Sequence, residues 1–181
     1  MAYKGSYEPK NKSKYLGNVE NVTYRSSWER EVMRFLDEND EVVEWGSEEL
    51  AIPYDNPVRG GRSKYFPDFI IKTKDGVIKV VEVKPAKQTV QPEKPTRRTK
   101  KYIAEVATWA INSEKWKAAR ELCEKNGLVF EIWTEDTLKS MGLLKASYGT
   151  KEKQKMVSET KRPKMKPIAR RKPRPRPTRR S

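Results

Sequence analysis

Two carboxylates and a lysine stand close together near the middle of the chain: Asp68 and, after thirteen further residues, Glu82 and Lys84. Carboxylate oxygens are ligands that Mg²⁺ prefers, and Mg²⁺ is commonly held by one or two of them together with substrate phosphate oxygens. A lysine beside such a pair can orient or activate the attacking water, or stabilise the charge that develops on a phosphodiester. These residues therefore predict metal-dependent phosphodiester chemistry, provided that the fold brings them together.

The surrounding residues predict a β-hairpin that carries both acids. Residues 65–71 and 77–84 are rich in β-branched and aromatic side chains, and Lys74-Asp75-Gly76 joins them. Strand-forming runs separated by a short segment with Asp-Gly are typical of hairpins. Asp68 then lies in the first strand and Glu82 in the second.

Two turn lengths fit this hairpin and have different consequences for the acids. A two-residue turn places Asp68 opposite Val83, so the acids lie on opposite faces. A three-residue loop with Gly76 in the left-handed conformation places Asp68 opposite Glu82. Facing residues have Cβ atoms roughly 4.5–5.5 Å apart, so one cation can then bridge the two carboxylates. The alternative is that these residues have no catalytic role. Asp68 is then an ordinary polar residue at the start of a strand, and Glu82 lies on an exposed face of the hairpin.

A helix with a third acid precedes the hairpin. Ser26 or Ser27 can cap it, and it is predicted to end near Asp37. Its apolar stripe consists of Trp28, Val32, Met33, Phe35 and Leu36. Glu29 falls within that stripe, where an ionised carboxylate is costly unless something compensates it. Glu29 can serve the metal site, or complete a capping box with Ser26, or do both.

The remaining elements follow from apolar periodicity and turn residues. Two apolar runs follow the first helix, 42–45 and 50–54, and the second is predicted to be the better strand. Residues 55–64 are predicted to form a loop. After the hairpin come a Pro-rich connection over 85–98 and a helix from Tyr102 that Asn112 and Ser113 interrupt. Its continuation, or a third helix, ends at Asn126-Gly127. A strand over 128–133 and a short helix from Thr134 to about Leu144 follow. The predicted order is αβββαβ, an α/β fold with a mixed sheet.

Composition excludes several classes of site. The chain has 181 residues, with 40 Lys and Arg against 25 Asp and Glu, no histidine, and a single cysteine. Zinc fingers, intramolecular disulfides, His-dependent triads and nucleases with a histidine base are therefore excluded. Without a long apolar run or a signal-like start, we expect an intracellular, soluble protein without membrane contact. Cys123 is expected to be a small packed residue.

The positive charge is concentrated at the C-terminal end. Residues 146–181 hold 14 basic and two acidic residues and five prolines, whereas the first 145 residues are nearly balanced. Such a segment is expected to be a disordered basic tail that binds phosphates without reading sequence, or only a solubilising terminus. We therefore predict an N-terminal arm over 1–20, a nuclease-like domain over 21–145 and the tail over 146–181.

Several side chains are candidates for contact with a nucleic acid backbone. They are Arg59, Arg62, Lys64, Lys87, Gln88, Arg170, Arg171 and Lys172. Arg59, Arg62 and Lys64 fit a solvated loop equally well. The tryptophans at 45, 109, 116 and 133 are predicted to be core residues rather than base-stacking platforms.

Several strings together resemble a known family. They are Tyr24-Arg25-Ser26-x-x-Glu29, Glu48-Glu49-Leu50-Ala51-Ile52-Pro53-Tyr54, Tyr65-Phe66-Pro67-Asp68-Phe69, Glu82-Val83-Lys84-Pro85 and Lys115-Trp116. The acids resemble the PD-(D/E)xK nuclease superfamily, whose core is αβββαβ. The whole set, over residues 5–140, is similar to the head completion nucleases of tailed bacteriophages. The basic tail is not part of that pattern.

The resemblance implies a Mg²⁺-dependent DNase, with Mn²⁺ as a substitute. It implies Asp68, Glu82 and the Val83 backbone carbonyl as metal ligands, Lys84 as the catalytic lysine and Glu29 as an auxiliary acid or further ligand. It also implies double-stranded DNA as substrate, portal or head-tail connector proteins as partners, and activity in the host cytoplasm during virion assembly. Trimming of packaged DNA before the tail joins would be such an activity, and the protein could remain with the virion.

Three rival functions fit the same residues. The first is a transposon-end or restriction-type nuclease of the same superfamily. The second is a structural head-to-tail plug that keeps the fold but only binds DNA and portal proteins. The third is a basic RNA-binding protein whose binding depends on residues 146–181 and survives removal of Asp68 and Glu82.

Overall fold

The computed structural model describes residues 4–144. The strands are β1 (Gly5–Ser6), β2 (Thr23–Tyr24), β3 (Val42–Ser47), β4 (Ile52–Asp55), β5 (Arg62–Tyr65), β6 (Phe69–Thr73), β7 (Ile78–Val83) and β8 (Val129–Trp133). The α-helices are α1 (Ser27–Glu38), α2 (Lys100–Lys125) and α3 (Glu135–Ser140). None of the helices in this range is long and apolar enough to cross a membrane. The predicted tail, with Arg170, Arg171 and Lys172, lies outside the described residues.

A mixed four-stranded sheet forms the centre of the described domain. Its strand order is β3-β6-β7-β8. The first three strands are antiparallel neighbours, and β8 pairs parallel with β7. A parallel pair needs a long crossover, which the 26 residues of α2 supply. With α1 in front, the core elements follow in the order αβββαβ, which confirms the predicted fold.

The two faces of this sheet belong to different apolar clusters. Val81, Val83 and Trp133 pack in one cluster with the apolar stripe of α1. The other cluster combines α2 with the β4-β5 hairpin and includes Tyr65 and Trp116. Because side chains alternate along a strand, the residue between Val81 and Val83 points to the face opposite α1. That residue is Glu82.

The β4-β5 hairpin is inserted between the first and second core strands. Part of the predicted loop over 55–64 is therefore wrong, because Arg62–Tyr65 pairs with Ile52–Asp55. The preference for residues 50–54 as the better strand is also wrong. The earlier run becomes β3 and joins the central sheet, with Trp45 fully buried.

The structure explains why β3 does not read as a regular strand. A bulge between Val42 and Glu44 interrupts its pairing with β6, so the apolar alternation is broken. Its Gly46 lies against the N-terminal segment, where an added Cβ would stand 3.2 Å from the carbonyl oxygen of Leu16. Gly46 is therefore selected by close approach of another backbone rather than by strand propensity.

The predicted interruption of the second helix is wrong. α2 continues through Asn112 and Ser113 to Lys125, and Asn126 and Gly127 end it as expected. Asn and Ser cost only a fraction of a kcal/mol each in a helix, so packing of the following turns outweighs them. The last helix is shorter than predicted, since it ends at Ser140.

The N-terminal segment is folded onto the domain instead of standing apart as an arm. β1 pairs with β2, and the Leu16 amide donates to the Trp45 carbonyl. The centre of this docking is Asp37, which is fully buried and accepts hydrogen bonds from the amides of Lys10 and Asn11 at 2.8 and 3.0 Å. On the helical wheel Asp37 lies outside the apolar stripe, so periodicity gave no sign of its burial.

Candidate active site

The turn between β6 and β7 fixes the position of both acids. The Thr73 amide donates to the Val77 carbonyl at 3.0 Å, and Gly76 has a φ of 83°. This is the three-residue loop with a left-handed glycine. The register that follows pairs Ile71 with Lys79 and Phe69 with Val81.

The next pair in that register is Asp68 opposite Glu82. Of the two predicted registers, the one that brings the carboxylates together is therefore the correct one. The Oδ2 atom of Asp68 accepts a hydrogen bond from the Val83 amide at 2.7 Å, which ties Asp68 to the end of β7. Both acids lie on the sheet face opposite α1.

The proximity of the two carboxylates has an electrostatic consequence. Burial and the charges of Glu82 and Glu29 together raise the pKa of Asp68 to about 7, although Lys84 and the Val83 amide lower it. A carboxyl with this pKa is partly protonated near neutral pH. A bound divalent cation would relieve the repulsion and favour the ionised form.

Both oxygens of Glu82 are held by specific partners. Only 4% of this residue is exposed. The Tyr65 hydroxyl donates to Oε2 at 2.6 Å, and the Lys84 ammonium lies 2.9 Å from Oε1. Tyr65 at the end of β5 and Lys84 just after β7 thus fix the plane of the carboxylate.

Lys84 is held in its charged form. Burial lowers its pKa, but the carboxylates of Asp68 and Glu82 outweigh that effect, so the pKa is raised overall. A protonated lysine is suited to stabilising negative charge on a phosphate and is unsuited to accepting a proton.

Glu29 forms the capping bonds that the sequence predicted, while its role at a metal site stays a prediction. Its carboxylate accepts hydrogen bonds from the Arg25 amide at 2.7 Å and from the Ser26 hydroxyl at 2.8 Å. The Glu29 amide in turn donates a hydrogen bond to the Ser26 Oγ. This is a capping arrangement at the start of α1. Glu29 is also close enough for its charge to raise the pKa values of Asp68 and Lys84. The capping bonds therefore hold a third acid beside the pair.

The donor set of Asp68 and Glu82 fits a hard divalent cation that keeps part of its water. Within residues 4–144, no group of three or more Asp, Glu or Cys side chains is arranged to enclose a metal ion. Mg²⁺ does not need such a cage, since one or two carboxylates and substrate phosphate oxygens complete its octahedron. The predicted Val83 carbonyl belongs to the residue whose amide holds Asp68, at the end of β7.

The predicted backbone-contacting residues within 4–144 belong to two segments, the β4-β5 hairpin and the turn after β7. Arg59 is exposed in the loop between β4 and β5, and Arg62 lies 4.0 Å from Asp55 in the same hairpin. Lys64 lines a cavity that also includes Tyr65. Lys87 and Gln88 lie in the 3₁₀ turn Ala86–Gln88 and line a different groove, beside Trp109.

Three of the four tryptophans are core residues, as predicted. Trp45, Trp116 and Trp133 are 0%, 4% and 6% exposed. Trp109 is the exception, because it is only partly buried and faces the groove with Lys87 and Gln88. Cys123 is 2% exposed and packed, also as predicted.

Sequence reasoning missed the role of Tyr65. Its hydroxyl is the partner of Glu82, although the residue lies three positions before Asp68 at the end of a different hairpin. Burial and the Glu82 charge raise the pKa of the Tyr65 hydroxyl, so it remains a donor at all ordinary pH values. The one signal was its place in the string Tyr65-Phe66-Pro67-Asp68.

Comparison with known proteins decides the family. The TnsA-like endonuclease N-terminal family matches residues 39–135, which include Asp68, Glu82 and Lys84 but begin after Glu29. The head completion nuclease of Enterobacteria phage T4 is 44% identical over 146 residues. The alignment covers 78% of this chain and 97% of that relative. The chain belongs to the head completion nuclease family.

As a family member, the chain is a nuclease with a TnsA-like endonuclease domain. Family membership agrees with the order αβββαβ and with the acids on the β6-β7 hairpin. It confirms the resemblance that the sequence strings indicated.

Proposed function

We propose that this nuclease hydrolyses DNA phosphodiester bonds with the help of Mg²⁺ held by Asp68 and Glu82. The observation that supports this most is the hairpin register, which places Asp68 opposite Glu82 and ties it to the Val83 amide at 2.7 Å. When bound, Mg²⁺ supplies a Lewis acid that neutralises charge on the phosphodiester.

The chain's own residues supply the remaining functions. Tyr65 holds the Glu82 carboxylate, which leaves Asp68 and Glu82 oriented toward the same face. The Lys84 ammonium, 2.9 Å from Oε1 of Glu82, would stabilise the negative charge that develops on the phosphodiester. Glu29 acts beside them as the auxiliary acid. Mn²⁺ has similar ligand preferences and should substitute.

We propose further that the DNA substrate is packaged phage DNA. The T4 relative is named for head completion, and it aligns with this chain over almost its whole length. Trimming DNA ends before the tail joins, next to portal or connector proteins in the host cytoplasm, is the corresponding role. The match to TnsA-like endonucleases supports a transposon-end nuclease as the second candidate.

A cleavage assay on plasmid and linear duplex DNA tests this function. Full-length wild type should cut with Mg²⁺ or Mn²⁺ and not with chelator, and Asp68→Ala and Glu82→Ala should not cut. Glu124→Ala, which removes an exposed acid near the end of α2, is the matched control and should cut like wild type. The product ends separate endonuclease from exonuclease action.

Two results would contradict the proposal. Equal cutting by all variants would mean that the acids are not involved. DNA binding without cutting or metal binding would favour a structural head-to-tail plug, which needs no cation.

A further inference from the structure

A basic cavity of about 380 Å³ lies beside the acidic pair, on the other side of Tyr65. Its lining residues are Arg25, Glu48, Lys64, Tyr65, Phe66 and Lys115. They come from segments far apart in the sequence, so the cavity is a product of the fold. The proposed metal chemistry uses only Tyr65 among them.

The cavity carries a net positive charge. Glu48 is its single carboxylate and is paired with Arg25, whose guanidinium lies 2.8 Å away. In the part of the chain that the structure describes, Lys64 and Lys115 form no ion pair. Two ammonium groups are therefore available to a ligand with negative charge.

Tyr65 connects this cavity to the acids. The Lys115 ammonium lies 5.3 Å from the centre of the Tyr65 ring, and 5.8 Å from that of Tyr54. The hydroxyl of the same Tyr65 donates to Glu82 at 2.6 Å. Tyr65 therefore contacts both the cavity and the acidic pair, so a DNA strand that enters the cavity lies next to the acids.

We propose that Lys64 and Lys115 bind the DNA phosphate next to the phosphodiester held at Asp68 and Glu82. Phosphate contacts of this kind fix the position and register of a nucleic acid without reading its sequence. The 44%-exposed Phe66 gives the cavity an apolar wall for the adjoining sugar or base. Arg25 is linked by its amide to Glu29, so the cavity and the acids share one framework.

This inference rests on the proposed function for its substrate, and it is tested by binding instead of cleavage. Each phosphate contact that is lost lowers the magnitude of the slope of log Kobs against log salt by about 0.9. The slope is measured by fluorescence anisotropy with a labelled duplex, full-length chain and chelator. The tail then contributes equally to every variant.

Lys64→Gln and Lys115→Gln should each lower that magnitude by about one, and the double variant by about two. Lys117→Gln is the control, since Lys117 is exposed on the same helix and does not line the cavity. It should leave the slope unchanged. Lys115→Arg keeps the charge and the ring contact and should behave like wild type.

If Lys64→Gln and Lys115→Gln both show the same slope as wild type, the inference is overturned. Loss of the Tyr54 and Tyr65 contacts could unfold the Lys115→Gln protein, so thermal unfolding is measured for each variant. Lys64→Gln has no such contact and decides the question alone if Lys115→Gln does not fold. If the protein cuts DNA with metal but the salt slopes of the lysine variants are unchanged, only this inference is contradicted. If the slopes change but the protein shows no metal-dependent cutting, only the proposed reaction is contradicted.

Discussion

Two acids of the described domain, Asp37 and Asp68, have opposite surroundings. Asp37, at the end of α1, is fully buried and accepts hydrogen bonds from two backbone amides and from the Tyr7 hydroxyl. Asp68, just before β6, accepts a hydrogen bond from one backbone amide and faces a second carboxylate, that of Glu82. Asp37 has hydrogen-bond donors for its carboxylate, whereas Asp68 lies beside a second group of the same negative charge.

We expect this difference to separate an acid that stabilises the fold from an acid that takes part in the proposed reaction. A buried carboxylate with several donors holds elements together, since those donors would otherwise lack partners. A carboxylate beside another carboxylate costs stability until a cation binds between them. Asp37 should therefore matter for folding and Asp68 for catalysis.

The largest expected effect is on catalysis. Asp68→Asn keeps the shape of the side chain and an acceptor for the Val83 amide but removes the charge that holds a cation. Cleavage should fall by about 10³-fold or more, because the metal contributes several kcal/mol to the transition state. Initial rates of plasmid cleavage at saturating Mg²⁺ measure it. Retention of a tenth of the wild-type rate would place the metal elsewhere.

The second effect is on stability and belongs to the other acid. Asp37→Ala leaves the amides of Lys10 and Asn11 without their acceptor, which should cost about 2–3 kcal/mol. Chemical denaturation measures this, and hydrogen exchange should increase in residues 5–24. The exposed Asp40 is the matched control, and Asp40→Ala should be neutral. The specific cleavage rate of folded Asp37→Ala protein should stay near wild type.

The third effect is a pH dependence with a sign opposite to that of most carboxylates. Since the pKa of Asp68 is raised to about 7, the folded state binds more protons than the unfolded state above pH 4. The free energy of unfolding of metal-free protein should therefore fall as pH rises from 4 to 7, by about 1–3 kcal/mol relative to Asp68→Asn.

Denaturation curves at several pH values, with chelator, test this third prediction. Adding Mg²⁺ at pH 7 should restore the lost stability in wild type and have no effect on Asp68→Asn. A free energy of unfolding that changes equally with pH in both proteins would contradict the raised pKa.

The smallest effect sharpens the comparison within the site. Tyr65→Phe removes the donor to Glu82 and should weaken Mg²⁺ binding by about tenfold, since groups that orient a metal ligand typically contribute this much. The Mg²⁺ concentration that gives half-maximal cleavage measures it. Tyr54→Phe is the control, because Tyr54 is buried in the same hairpin but bonds Asn56. Equal midpoints for the two variants would show that Tyr65 only packs.

The β6-β7 hairpin was predictable because local residues determine it. The turn Lys74-Asp75-Gly76 contains the glycine that the left-handed position needs, and alternation then places Glu82 on a known face. The sequence left two registers open, and only the structure distinguishes them. Capping by Ser26 and Glu29 was predictable for the same local reason.

The parts that could not be predicted depend on contacts between distant segments. Asp37 is buried by residues about 26 positions earlier in the chain, and no periodic pattern reports such a partner. Tyr65 contacts Glu82 across seventeen residues. The place of β3 at the edge of the four-stranded sheet follows from its pairing with β6, which overrides the weak alternation that its bulge produces.

The most direct test of the central claim is titration calorimetry of Mg²⁺ and Mn²⁺ into full-length protein, with and without duplex DNA. Measured near pH 7 in two buffers of different ionisation enthalpy, wild type should bind the metal and release a fraction of a proton, because binding ionises Asp68. Asp68→Asn should bind neither metal, and Asp37→Asn should bind like wild type. Absence of binding to wild type, even with DNA present, would contradict the account and leave a protein that only binds DNA.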